Sequence, residues 1–106
     1  MEEFFEAVTR DEAEGLIESG SHFVILRPSS ISYRYPNVYA VSYRCGGRIC
    51  HSLARRHTDS EKWNLVDLGP YENAIDTDFT FENGLKMIAH FMSLSGDDKL
   101  RSKYIA

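Results

Sequence analysis

The stretch His22-Phe23-Val24-Ile25-Leu26-Arg27-Pro28-Ser29-Ser30 decides the fold. Phe23 to Leu26 is a run of four apolar residues rich in β-branching, which predicts a short strand. A continuous run, in place of an alternating one, means that both faces of the strand are covered. Arg27 ends that run, where a solitary charge is costly to desolvate. A guanidinium cannot escape by losing its proton, so it needs an anion, either a carboxylate of the same chain or a group carried by a ligand. Pro28, Ser29 and Ser30 turn the chain and bring hydroxyl and N–H donors close by, as a phosphate-cradling loop does. On this stretch alone an internal salt bridge and a phosphate site are equally good readings.

Around it the chain has the dimensions of one small domain. Its 106 residues, 42% hydrophobic and 12% aromatic, support a modest single core. No apolar run approaches the ~20 residues that a membrane-spanning helix needs, and the acidic start Met1-Glu2-Glu3-Phe4-Phe5 does not read as a signal peptide. A net charge of −4, with Arg55-Arg56-His57 as the one basic cluster, argues against nucleic acid and against anionic membranes as partners. Cys45 and Cys50 flank Gly46-Gly47. If the glycines form a two-residue hairpin turn, Cys45 faces Arg48 and Cys50 faces Tyr43, so the sulfurs are not partners. They read as free thiols in a reducing, cytosolic setting, and neither they nor Glu72, Asp76 and Asp78 make a metal-ligand pattern.

Outward from the central strand, Thr9-Arg10-Asp11-Glu12 has capping-box spacing and begins a helix with Ala13, Leu16 and Ile17 on one face and Gly20 at its end. Arg10 sits in the first turn, where a cation opposes the helix dipole, so another role is worth seeking for it. A loop, Pro28 to Asn37, leads to a hairpin with strands at about Val38–Cys45 and Arg48–Arg56. Pairing across Gly46-Gly47 places Ser42 opposite His51 and Ala40 opposite Leu53, so these four share one face of the sheet. Tyr39, Val41, Tyr43, Cys50 and Ala54 form the opposite, core-like face. The segment from His57 to Phe79 is the least regular, with a short strand at Trp63–Leu68 broken by Gly69-Pro70. A second helix is expected from about Phe81 to Leu94, with Leu85, Ile88, Ala89 and Met92 at helical spacing and Gly96 ending it. The tail from Asp97 contains Leu100, Tyr104 and Ile105, enough to dock in part. The expected architecture is α+β: a central antiparallel sheet with one helix on each face.

In this order the segments resemble the Src-homology-2 domain, the phosphotyrosine-binding module. Thr9 to Ile17 resembles its first-helix pattern and Phe23-Val24-Ile25-Leu26-Arg27-Pro28-Ser29 its signature strand. Tyr39-Ala40-Val41-Ser42, Arg48-Ile49-Cys50-His51 and Phe81-Glu82-Asn83-Gly84-Leu85 resemble its third strand, fourth strand and second helix. The resemblance implies that Arg27 makes a bidentate bond to the phosphate and that Arg10 reaches phosphate and ring. It implies that Ser29 and Ser30 belong to the phosphate-holding turn and that Ala40, Ser42, His51 and Leu53 line the pocket. The sequence departs from the family in lacking the early tryptophan, in Pro28, Ser52 and Leu53, and in the length of the loop after Arg27 and of the 57–79 segment. Such divergence suggests a distant member, of the kind a bacterial effector acting in a host cytosol would carry.

The resemblance thus implies a monomeric, non-catalytic module without cofactor or metal, whose partners are tyrosine-phosphorylated proteins or peptides. An enzyme is disfavoured because the sequence has no nucleophile elbow, phosphate-loop motif or metal-ligand cluster, and Cys50, although next to His51, points to the opposite sheet face. An alternative is an SH2-like structural domain that binds another anion, an inositol lipid or a sulfated ligand, or whose pocket has lapsed. The 57–79 segment has two readings: an extra strand and turn on the sheet edge, or a cover over the bound phosphotyrosine that leaves binding strong and tolerant of sequence.

Overall fold

A computed structural model of the chain describes residues 2–95. In order it contains α1 (Arg10–Glu18), β1 (Val24–Pro28), β2 (Val38–Cys45), β3 (Arg48–Arg56), β4 (Trp63–Leu68), β5 (Ala74–Phe81) and α2 (Gly84–Ser93). The strands form one antiparallel sheet in chain order, β1-β2-β3-β4-β5, as successive short reversals dictate. The architecture is α+β, with one helix packed on each face of the sheet.

Thr9 starts α1 as its spacing predicts. Its Oγ1 accepts from the Glu12 N–H at 3.2 Å, and Glu12 Oε1 accepts from the Thr9 N–H at 3.0 Å. Gly20, at φ +83°, takes the left-handed turn after the helix. Ala13 and Ile17 of α1 then bury against Ile25, while Val24 and Leu26 turn the other way into the larger cluster with Val41, Trp63, Ile88 and Phe91. This is why the β1 run is continuous: alternate residues serve two cores. It also sets Arg27 on the same face as Ile25, under α1.

The β2–β3 hairpin has the register read from Gly46-Gly47: Cys45 opposite Arg48, Tyr43 opposite Cys50, Ser42 opposite His51 and Ala40 opposite Leu53. Both cysteines are free. In the 57–79 segment the short strand forms at Trp63–Leu68, and the reading of an extra strand and turn on the sheet edge is borne out. The segment is more regular than expected, because Ala74–Phe81 is a fifth strand paired with β4. Asp76 and Asp78 hide it, being poor strand formers, yet an edge strand tolerates and even favours such charges. Asp76 is held in place by Arg55 Nε at 2.7 Å and Asn64 Nδ2 at 3.0 Å.

The second helix is also shorter than expected. Phe81 still belongs to β5, and Asn83 caps α2 by accepting from the Lys86 N–H at 2.9 Å. The buried residues are Gly84, Met87, Ile88, Ala89, Phe91 and Met92, so Ile88, Ala89 and Met92 face the core as expected, whereas Leu85 points outward and is 57% exposed. The expected stop at Gly96 and docking of Leu100, Tyr104 and Ile105 lie outside the described residues.

Because the capping box fixes where α1 begins, Thr9→Ala should destabilise the domain by about 1 kcal/mol. Urea unfolding measures this; a loss near zero would mean that packing of Ala13 and Ile17 alone sets the helix.

Candidate anion-binding site

Arg27 is 7% exposed. Its Nε donates to Ser42 Oγ at 2.8 Å, whereas Nη1 meets the Pro28 carbonyl and Nη2 meets His51 Nδ1 only at 3.4 Å. Among the described residues no carboxylate lies within ion-pair distance of it. The internal salt bridge weighed for this arginine is therefore not formed there. Burial pushes its pKa below the ordinary value and the nearby Arg10 charge adds to this, with Glu14 opposing. Even so, a guanidinium remains charged at any working pH. The result is a desolvated cation whose terminal nitrogens have only long contacts.

Above it opens a cavity of ≈ 550 Å³. It is lined by Arg27 and Ala40, both buried, by His51, Leu53 and Ser30, and by Arg10, whose side chain is exposed. Six of the eight residues singled out in the sequence thus converge on one space. Ser42 lies just beneath, fully buried, bonded to both Arg27 and His51. Ser29 is placed differently: it is buried and its hydroxyl donates to the Val38 carbonyl at 2.8 Å, stapling the loop to β2 rather than lining the cavity.

Sequence reasoning missed the far wall and one carboxylate. Val66, Asp67 and Leu68 at the end of β4 line the cavity, Val66 because it pairs with Leu53. Their signal was the Trp63–Leu68 strand, but not which strand it joins. Glu14 sits one helical turn after Arg10, 3.5 Å from its Nε, and lies 2.7 Å from His51 Nε2. The spacing i, i+4 was readable; the tertiary contact to His51 was not.

Two loops that continue from the cavity residues Ser30 and Leu68 meet one another. The loop after Arg27 sends Tyr33 Oη to Glu72 at 3.0 Å, Arg34 Nη1 to the Tyr71 carbonyl at 3.2 Å and Tyr35 Oη to Asn73 Oδ1 at 3.4 Å. Tyr71 and Glu72 both have φ +57°, a left-handed conformation rare in succession for non-glycine residues. The β4–β5 turn is therefore clasped to the loop that contains Ser30 and Ser29.

A larger cavity of ≈ 820 Å³ lies on the α2 side of the sheet among Phe5, Tyr39, Trp63 and Leu85. It contains no buried charge, so chemistry favours the smaller one. Among the described residues no group of three or more His, Cys, Asp or Glu converges as metal ligands, and no helix is long and apolar enough to cross a membrane. No family model, curated protein or solved structure matches the chain.

The hydrogen bond from His51, the largest influence, holds the Glu14 carboxyl below its ordinary value of 4.5. A depressed folded-state pKa gives stability that is present above pH 4.5 and is lost as pH falls through the lowered value. Urea midpoints followed downward from pH 6 should therefore decline, less steeply in Glu14→Gln; equal slopes would show that the pair contributes nothing. Ser29→Ala should separate packing from binding, costing about 1 kcal/mol of stability through the lost bond to Val38.

Proposed function

We propose that this chain is a non-catalytic binding module for tyrosine-phosphorylated peptides or proteins. The observation that carries this reading is Arg27: buried, charged, without a carboxylate among the described residues, and facing a cavity. A phosphate monoester supplies the missing anion, and its oxygens match the planar fork of the guanidinium. The walls suit an aromatic ring between the phosphate and the peptide: Ala40, Leu53, Val66 and Leu68 are apolar, and Arg10 stands at the rim, 68% exposed in its side chain. Among the described residues β3 is paired on the β4 side only from Leu53 onward, and its Arg48–Ser52 half would offer an edge to an extended peptide.

The same features support strong dependence on the phosphotyrosine with loose selectivity for its neighbours. Binding energy concentrates in one desolvated charge pair and one ring pocket, and the clasped Tyr71–Asn73 turn beside them adds cover close to the phosphotyrosine. The module acts as a monomer in this reading, without cofactor or catalysis. The setting is a reducing cytosol, in keeping with the free Cys45 and Cys50, and a host cytosol if the chain is part of a bacterial effector.

Calorimetry with phosphotyrosine, phosphoserine and unphosphorylated forms of one peptide tests this directly. Only the first should bind, because a phosphoserine side chain is too short to reach Arg27 from the Arg10–Leu53 rim. Comparable heats for both phosphopeptides would indicate a shallow anion site, and binding of inositol phosphates or sulfate instead would favour a different anionic ligand. Arg27→Ala should abolish binding in a folded protein, a loss of about 2–5 kcal/mol or more, and Arg27→Lys should lose most of it. Leu53→Asp should also weaken binding, by repulsion and by lost ring contact.

Replacing Tyr71 to Ile75 with a short Gly/Ser linker should raise the dissociation rate, and a degenerate phosphotyrosine library should show little preference outside the phosphotyrosine. A sharp preference at one downstream position, or an unchanged rate, would make the segment purely structural.

A further inference from the structure

A directional chain of hydrogen bonds runs from Arg27 to α1. Arg27 Nε–H points at Ser42 Oγ at 2.8 Å, so that hydroxyl oxygen is already an acceptor. The same oxygen lies 2.8 Å from His51 Nδ1. Nε2 faces Glu14 Oε1 at 2.7 Å, and an ionised carboxylate only accepts, so Nε2 carries a proton; on the neutral ring Nδ1 is then the acceptor and takes the Ser42 hydroxyl hydrogen. The opposite tautomer has no such fit. It would set a bare Nε2 lone pair against the Glu14 carboxylate at 2.7 Å and point the Nδ1 proton toward the side on which Arg27 Nη2, itself a donor, stands at 3.4 Å. The charged and titratable groups facing His51 are thus Glu14 and Arg10 from α1 and Arg27 from β1.

From this arrangement we infer that Glu14 is a positioning residue for the anion site, fixing the His51 tautomer and, through Ser42, the plane of the Arg27 guanidinium. Engaging Nε leaves the Nη1–Nη2 edge as the fork presented to an incoming phosphate. The same carboxylate lies 3.5 Å from Arg10 Nε and holds that cation at the rim. This inference rests on the phosphate reading of the cavity and adds a component outside its lining. Its sign is unusual: a carboxylate close to an anion site should weaken binding by repulsion, whereas Glu14 strengthens it through geometry.

That opposition of signs supplies the test. Glu14→Gln keeps an oxygen that accepts from His51 Nε2–H but removes the charge; Glu14→Ala removes both. Phenyl phosphate is titrated calorimetrically into the whole chain, and ¹⁵N NMR of the unliganded proteins reads the His51 tautomer. The expected result is at least fivefold weaker binding by Glu14→Ala than by Glu14→Gln. The ring should be Nε2-protonated in the wild type and in Glu14→Gln, and a tautomer mixture in Glu14→Ala. Equal or tighter binding by the alanine variant overturns the inference, as does a wild-type ring protonated on Nδ1 or an unchanged tautomer in Glu14→Ala. If the wild type gives no heat with phenyl phosphate, the phosphotyrosine reading fails by itself, and the NMR result still decides whether Glu14 sets the ring.

Discussion

A guanidinium that cannot shed its proton ends a strand covered by helices on both faces, and the arrangement around it follows from that constraint. Desolvating a charge without an opposite partner is unfavourable by several kcal/mol even after relaxation. Folded proteins usually avoid this with a carboxylate. Here Ser42 takes one N–H, His51 and the Pro28 carbonyl stand at 3.4 Å, and the Glu14 carboxylate engages His51 and Arg10 instead. The polar groups on this face of the sheet orient the charge without neutralising it. Such an imbalance is the feature on which the proposed anion-binding function rests, and stability given up at a site is a common cost of function.

The fold was legible where local geometry determines tertiary placement. Gly46-Gly47 fixed the hairpin register, and the period of two then put Ala40, Ser42, His51 and Leu53 on one face without further information. The continuous Val24-Ile25-Leu26 run announced two cores, and the sheet between two helices satisfies it. β5 was not legible because its aspartates suit an edge rather than a strand in general, and edge status is a property of the whole sheet. In α2 the spacing placed Ile88, Ala89 and Met92 in the core, whereas Leu85 was misplaced because it lies in the first turn of a helix that begins only after β5 ends at Phe81.

The site was legible to the same depth. Residues on β1 and the hairpin could be placed from register, and they do converge. Val66 and Leu68 could not, because the pairing of Leu53 with Val66 depends on a connection of irregular sequence. Ser29 shows the opposite failure: a hydroxyl next to an arginine in sequence reads as a phosphate donor, yet the turn after Pro28 directs it to the Val38 carbonyl. Glu14 was visible as a helix residue and invisible as a partner of His51, since nothing local links α1 to β3.

The most direct test of the central claim is a comparison of stability and ligand response in wild type and Arg27→Met. Methionine fills similar space with no charge to desolvate. Thermal unfolding is followed with and without phenyl phosphate. The account predicts that the unliganded variant melts no lower than the wild type, and that phenyl phosphate raises the melting temperature of the wild type alone. A variant that melts well below the wild type, with no ligand-induced shift in either protein, would contradict it and make Arg27 a structural residue.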